Sequence, residues 1–327
     1  MRAWIIDRFE GINKMQLTEV ADPVPAPGEV LLRVRYAALN PADRYLAEGQ
    51  YPAKPSLPHI LGRDGTGTVA GITDGVKDHP MGATRAILRG ETGVTRWGTF
   101  AELVAVPAES VIEIPEGWTD VQAGCAPLVY VTAFQALTMW ENLPKQAVVL
   151  ISGASGGVGV ASAQLGIAMG HTVIGLSRGV EKRATLESMG MQLALDPADA
   201  QWRKKLADFL GKRKVDLAVD SVGGTLFQQL VATLGDHGRI SVVGRLAGEV
   251  PQFNTASLFF RRLRIGGVAV GAYTNEESRH AWTACVDLLN KTEARPLVDE
   301  IFPFEKLPAA FEKLAKGPMG KVLISAL

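Results

Sequence analysis

The sequence predicts an α/β protein in which a doubly wound parallel sheet follows a β-rich first region. Three observations predict it. Apolar strands alternate with helical segments between about residues 147 and 243. Glycines close the helices of that stretch at Gly170 and Gly190. The first 120 residues hold short apolar runs broken by glycine and proline instead. Glycine stops with strand–helix alternation mark a parallel sheet, whose strands are apolar on both faces. At 327 residues, one core is too small a plan and two domains are expected.

In order, the first region carries apolar runs at Ala3 to Ile6, Val30 to Tyr36, Gly67 to Ile72, Ala86 to Leu88 and Phe100 to Val106. Asp22-Pro23-Val24-Pro25-Ala26-Pro27-Gly28 is a typical punctuation between them. That spacing predicts a barrel-like or sandwich-like fold with many turns. The alternating region then reads strand Ala147 to Ile151, helix Gly159 to Met169, strand His171 to Leu176 and helix Glu181 to Met189. It continues with a short strand at Leu193 to Leu195, helix Gln201 to Leu210, strand Val215 to Val219, helix Thr225 to Leu234 and strand Arg239 to Val243. Beyond about residue 272 the alternation fades into helix Glu276 to Asn290, a segment at Ile301 to Phe304, helix Ala309 to Ala315 and a last strand Lys321 to Ile324. There is no internal repeat. The expected division is 1–122 and 268–327 for one domain, with 123–267 inserted between them.

Lysine plus arginine equal aspartate plus glutamate at 34 each, so charge gives no reason to expect a nucleic-acid or anionic-membrane partner. Cys125 and Cys285 lie far apart in sequence and form no ligand-spaced pair, which argues against a disulfide scaffold and a structural zinc lobe. Acidic residues follow Met1 too closely for a signal peptide, and no apolar run reaches the roughly 18 residues of a membrane span. A cytoplasmic protein is expected.

The strongest local signal is Ile151-Ser152-Gly153-Ala154-Ser155-Gly156-Gly157-Val158-Gly159. It fits G-x-G-x-x-G with Ala154 at the first glycine, between a strand and a helix. Gly156 would let backbone approach a pyrophosphate, and Gly159 would let the helix pack on the sheet. No Gly-Lys-Ser/Thr follows, so the loop is not a mononucleotide P-loop. At the end of the second strand Ser177 stands where an acid would bind a ribose 2′-hydroxyl, followed by Arg178, Lys182 and Arg183. A missing carboxylate with guanidinium nearby favours a 2′-phosphate, hence NADPH. A solvated helix face explains one of Lys182 and Arg183 equally well.

With these residues in place, the chain resembles the zinc-independent quinone oxidoreductase branch of the medium-chain dehydrogenases/reductases. The likeness runs through Leu39-Asn40-Pro41-Ala42-Asp43, Pro58-His59-Ile60-Leu61-Gly62-Arg63-Asp64-Gly65-Thr66-Gly67, Gly98-Thr99-Phe100-Ala101-Glu102, Tyr130-Val131-Thr132-Ala133, the glycine loop and Gly320-Lys321-Val322. The resemblance implies a Rossmann domain inserted in a split GroES-like catalytic domain, with the active site in the cleft. Zinc-using relatives carry Cys at the position of Asn40 and His-Glu at Arg63-Asp64, so no metal is expected. Asp78 to Ala86 departs from the family's Gly-Asp-Arg-Val turn, matching only at Gly82 and Arg85.

Without zinc to stabilise an alkoxide, the resemblance implies NADPH-dependent reduction of a quinone or an α,β-unsaturated carbonyl. It assigns Asn40, Tyr45 and Tyr51 to the acceptor; each tyrosine reads almost as well as a side chain packed at a loop edge. Tyr130, Thr132, Gly244 and Lys321 are assigned to the cofactor, with the loop from Ala154 and Ser155 to Gly159. Asp43 is expected to cap or turn, and Arg63 with Asp64 to form an ion pair or cleft wall. Leu258 to Ile265 resembles a subunit edge, implying a homodimer. An acryloyl-type enoyl-CoA reductase, with Arg261, Arg262 and Arg264 as a CoA rim, and an NADPH-binding regulatory protein are the alternatives.

Overall fold

The structure is a computed structural model that describes residues 1–88, 91–249 and 253–327. The chain separates into two compact units, one of residues 1–128, 273–282 and 295–327, the other of residues 129–272 and 283–294.

The first unit opens with strands β1 (Arg2–Ile6), β2 (Gln16–Glu19) and β3 (Glu29–Ala38), then helix α1 (Pro41–Ala47) and strands β4 (His59–Ile60), β5 (Asp64–Ile72), β6 (Thr84–Ile87), β7 (Leu103–Pro107) and β8 (Val111–Glu113). Helix α2 (Asp120–Cys125) follows, started by a reciprocal cap between Thr119 and Gln122. The expected apolar runs become strands because alternate side chains enter one core. That core holds Ile6, Val30, Leu32, Leu61, Phe100 and Val104. Helix α1 was not legible as such. Pro41 starts it and Gly49 stands just past its end, but seven residues are too few for a periodic signal.

The second unit begins in helix α3 (Pro127–Thr138) and runs β9 (Val148–Ser152), α4 (Gly157–Ala168), β10 (Thr172–Leu176), α5 (Val180–Ser188), β11 (Leu193–Leu195), α6 (Trp202–Leu210), β12 (Val215–Asp220), α7 (Gly224–Thr233) and β13 (Leu234–Val242). Helix α8 (Ala256–Arg261) and strand β14 (Arg264–Gly267) complete it. The sheet order is β11-β10-β9-β12-β13-β14, parallel throughout. All five β9 residues are fully buried, as a central strand covered on both faces requires. Order reverses beside β9, which places a switch point between the carboxyl ends of β9 and β12. Strand β13 starts five residues earlier than expected, and Pro127–Thr138, a segment not read as helix, is one.

The chain then supplies α9 (Asn275–Lys291), β15 (Val298–Pro303), α10 (Leu307–Ala315) and β16 (Lys321–Ser325). Strand β16 pairs antiparallel with β3, so chain segments nearly 300 residues apart share one sheet. Phe311 of α10 meets Phe100 edge-on at 5.8 Å in the same core. Among the described residues no helix is long and apolar enough to cross a membrane.

Candidate active site

In the second unit, the loop between β9 and α4 turns at Gly153, whose φ of +60° is left-handed backbone that glycine adopts without strain. Gly156 caps the helix: Val160 N–H donates to Gly156 O at 2.8 Å, the first helical bond. The N–H groups of Gly157, Val158 and Gly159 have no acceptor among the described residues. They and the positive end of the twelve-residue α4 make an anion cradle.

Two glycines of this loop answer to different needs. A Cβ on Gly159 would lie 2.3 Å from Gly153 O, so the helix packs on its own loop only without a side chain. A Cβ on Gly156 would meet only Gly153 O at 3.4 Å, an ordinary contact. The fold requires Gly159, whereas the space beside Gly156 would admit a small side chain. Ala154 is buried and its N–H donates to Leu176 O at 3.0 Å, tying the loop to the end of β10. Ser155, Gly157 and Val158 are half-buried at the rim.

At the switch point, Asp220 ends β12 fully buried. Its carboxylate accepts from the hydroxyl of Ser152 and from the N–H groups of Val222 at 3.0 Å and Gly223 at 3.1 Å. This clamp joins the carboxyl ends of β9 and β12. Gly244 N–H donates to Asp220 O at 3.3 Å, and a Cβ there would come within 3.0 Å of Ser221 O. The sequence analysis named Gly244 and did not name Asp220. Its signal was an acid closing an apolar strand just before Gly223-Gly224, both with positive φ.

At the end of β10, Ser177 is 4% exposed and its hydroxyl has no partner among the described residues. A buried hydroxyl without a partner is uncommon and calls for a ligand or a water. Arg178 is exposed and Lys182 is half-buried with its stem against Gly179. Arg183 is committed to the fold: its guanidinium donates to Ser177 O at 2.9 Å and to the Asp196 carboxylate at 3.1 Å. Tyr130 is also turned inward. It is 2% exposed, and its phenol donates to Gln164 of α4. Thr132, 9% exposed, lies two residues further along α3. The unpaired α4 amides, the space over Gly156 and the orphan Ser177 hydroxyl fit a dinucleotide phosphate backbone.

The first unit holds a buried charged cluster. Asn40, at the α1 start, is 4% exposed. Its Nδ2 donates to Asp64 Oδ2 at 2.9 Å and to Ala38 O at 3.3 Å, and its Oδ1 accepts from Lys321 Nζ at 2.6 Å. Lys321 also donates to Leu39 O at 3.0 Å and lies 3.4 Å from Asp64 Oδ2. Asp64 further accepts from Leu128 N–H at 3.3 Å. Two expectations change here. Asn40 has both amide hydrogens engaged inside the protein, and so offers none to a substrate carbonyl. Lys321 has three acceptors within the cluster, and so is a structural cation, not a hand extended to the cofactor. A buried ammonium with three donors settles where three acceptors converge.

Arg63, the residue before β5, and Asp64, its first residue, do not pair with each other but take different partners. Arg63 Nε meets Asp43 Oδ1 at 3.1 Å, while Asp64 takes Lys321. Asp43 is fully buried and its other oxygen accepts from Asn40 N–H at 2.9 Å, at the first turn of α1. Burial pushes the Asp43 carboxyl up, opposed by Arg63 and Asn40. Burial also works against the Arg63 charge, but Asp43 and Tyr51 outweigh it and hold the guanidinium charged. Tyr51 is half-buried; its ring lies under the Arg63 guanidinium at 4.9 Å, and Arg63 Nη1 donates to its phenol oxygen at 3.3 Å. Tyr45 lies beside Arg44 at 5.4 Å, on α1. Nearby, His59 is 1% exposed and burial drives its pKa down to about 4, so it is neutral. Among the described residues no group of three or more His, Cys, Asp or Glu side chains is placed to hold a metal ion.

Comparison with known proteins agrees with this geometry. Residues 26–116 match the alcohol dehydrogenase GroES-like domain, and residues 157–291 match the zinc-binding dehydrogenase family. The chain is 28% identical over 327 residues to quinone oxidoreductase of Sus scrofa, covering 99% of this chain and 97% of that protein. A solved NAD-dependent alcohol dehydrogenase superposes with a TM-score of 0.91 at 26% identity, covering 100% of both chains. A mycobacterial protein complexed with NADPH gives 0.89 at 25% identity, covering 99% of each. The strand order, the two family matches and the full-length likeness together place this chain in the medium-chain dehydrogenase/reductase superfamily, as an oxidoreductase that uses a nicotinamide dinucleotide and is similar over its full length to quinone oxidoreductases.

Proposed function

We propose that the protein reduces quinones or α,β-unsaturated carbonyls with NADPH, by hydride transfer and without zinc. The observation that carries the reading is the cluster at Asn40, Asp64 and Lys321. An amide, one carboxylate and an ammonium already saturate one another there. No alkoxide-stabilising metal is needed if the acceptor is electron-poor from the start. When bound, NADPH supplies the hydride. The α4 amides hold the pyrophosphate, and the Ser177 hydroxyl and Arg178 flank the 2′-phosphate. Ser177 offers no carboxylate to repel that phosphate. Tyr51 offers an O–H to the acceptor oxygen that gains charge.

The similarity to an NADPH complex supports the choice of cofactor, and the similarity to an NAD-dependent alcohol dehydrogenase makes NADH the comparison to run. The enoyl-CoA alternative loses part of its rim: the Arg261 guanidinium is taken by Leu234 O at 2.7 Å and Val231 O at 3.2 Å. A homodimer is supported by the sheet edge at β14, where Ile265 is exposed near Phe259 and Phe260.

The test is steady-state NADPH oxidation with 1,4-quinones, short enones, crotonyl-CoA and simple aldehydes, with NADH in parallel. Turnover confined to quinones and enones supports the reading. Turnover of crotonyl-CoA alone, or of aldehydes dependent on added zinc, overturns it. Light scattering at working concentration reads the dimer separately.

A further inference from the structure

Tyr51 and Arg63 lie 12 positions apart and belong to different segments, a loop after α1 and the residue just before β5. Their contact has a direction that chemistry fixes. A guanidinium has five N–H donors and no acceptor, so in the 3.3 Å contact the phenol oxygen accepts. The phenol's own hydrogen has no acceptor among the described residues. The guanidinium also stacks on the ring at 4.9 Å. Arg63 is itself fixed. Its side chain is 8% exposed, and Nε is held by Asp43, which is fully buried and anchored by Asn40 N–H. Arg63 Nη2 is enclosed without a partner. The guanidinium is therefore oriented by Asp43 and Tyr51, and not by saturation of its own donors.

We propose that Arg63 is the positioning residue for Tyr51: it holds the ring and occupies the phenol oxygen, leaving the O–H as a donor directed to the acceptor's oxygen. The inference rests on the acceptor-side role given to Tyr51 above. It makes the order Asn40 backbone, Asp43, Arg63, Tyr51 a single chain of hydrogen bonds, in which only the last member meets substrate. Lysine in place of Arg63 keeps a charge beside Asp43 but lacks the planar fork that reaches the phenol and covers its ring.

The experiment is a double-mutant cycle on quinone reduction, with kcat, both KM values and melting temperature measured for each variant. Arg63→Gln leaves Asp43 buried without its cation, so Asp43→Asn/Arg63→Gln is made as a charge-free version that keeps the pair's hydrogen bond. Arg63→Lys is the conservative variant. Tyr51→Phe is expected to lower kcat about tenfold to a hundredfold, the range of one hydrogen-bond donor to developing charge. The charge-free pair is expected to lower kcat by a similar factor with KM for NADPH unchanged, and Arg63→Lys to recover only part. Combined with Tyr51→Phe, the pair is expected to cost less than a further twofold. Three results overturn the proposal while leaving the acceptor role of Tyr51 standing: a damaging Tyr51→Phe with a neutral charge-free pair, effects that multiply, or full recovery by lysine. A neutral Tyr51→Phe, or no turnover by the wild type, removes the acceptor reading and this inference together.

Discussion

Around Gly156 the polar groups are backbone amides left without acceptors. Around Asp64 a carboxylate, an amide and an ammonium satisfy one another. The first region is local, the seven residues of loop and helix start from Gly153 to Gly159; the second joins positions up to 282 residues apart. One is left open by the fold among the described residues, and the other is closed because its cation is built in. The contrast shows that a binding loop is defined by what its backbone leaves unpaired, whereas a buried charge cluster is defined by which partner arrives to close it.

The comparison breaks most visibly at Lys321. Lys321→Met leaves the fully buried Asp64 without its cation and is expected to cost about 3–5 kcal/mol in urea unfolding. Lys321→Met/Asp64→Asn should recover much of that. If the single variant unfolds like wild type, Lys321 does not close the cluster. In the open region the matching lesion is Gly159→Ala, whose Cβ meets backbone at 2.3 Å. About 3 kcal/mol of stability should be lost. Gly156→Ala sharpens the point. With its nearest contact at 3.4 Å it should melt within a degree or so of wild type, yet bind NADPH at least tenfold more weakly in fluorescence titration.

Titration separates the regions as well. His59 sits in the closed unit with a folded pKa of about 4, below its unfolded value near 6.5. Its contribution is therefore complete above pH 6.5 and is lost as pH falls toward 4, by about 2–3 kcal/mol. Asp43 runs the other way: its folded pKa is raised, so ionisation costs the fold at neutral pH and acid relieves that cost. His59→Gln should flatten the decline of urea midpoints between pH 6.5 and 4; an unchanged slope would place the acid sensitivity elsewhere. The smallest expected effect is at the rim of the cradle. Ser177→Asp should shift the ratio of NADPH to NADH affinity about tenfold toward NADH, with the melting temperature little changed.

These differences also explain what could be read beforehand. The parallel sheet was legible because each strand is a continuous apolar run and each glycine stop is local. The cradle was legible because strand, loop and helix are consecutive. The Asn40, Asp64 and Lys321 cluster was named residue by residue through resemblance, but its wiring was not. Pairing Arg63 with Asp43 and Asp64 with Lys321 depends on Asp43 of α1 meeting the residue before β5 and on β16 entering beside β3. No spacing within 327 residues announces such a junction. Asp220 was missed for a related reason: a carboxylate that binds its own backbone looks in sequence like any strand-ending acid.

The entry of Lys321 has a consequence for how the protein is made. Asp64 and Lys321 are separated by 257 residues. A ribosome adding roughly 5–20 residues per second takes about 13–50 s to cross that interval. During that time residues 129–272, which supply most of the second unit and its sheet, leave the ribosome as one uninterrupted stretch. The nascent first unit meanwhile carries Asp64 and Asn40 without their ammonium and β3 without the pairing of β16. The unit that begins synthesis first is thus the one whose last strand and buried cation are made last.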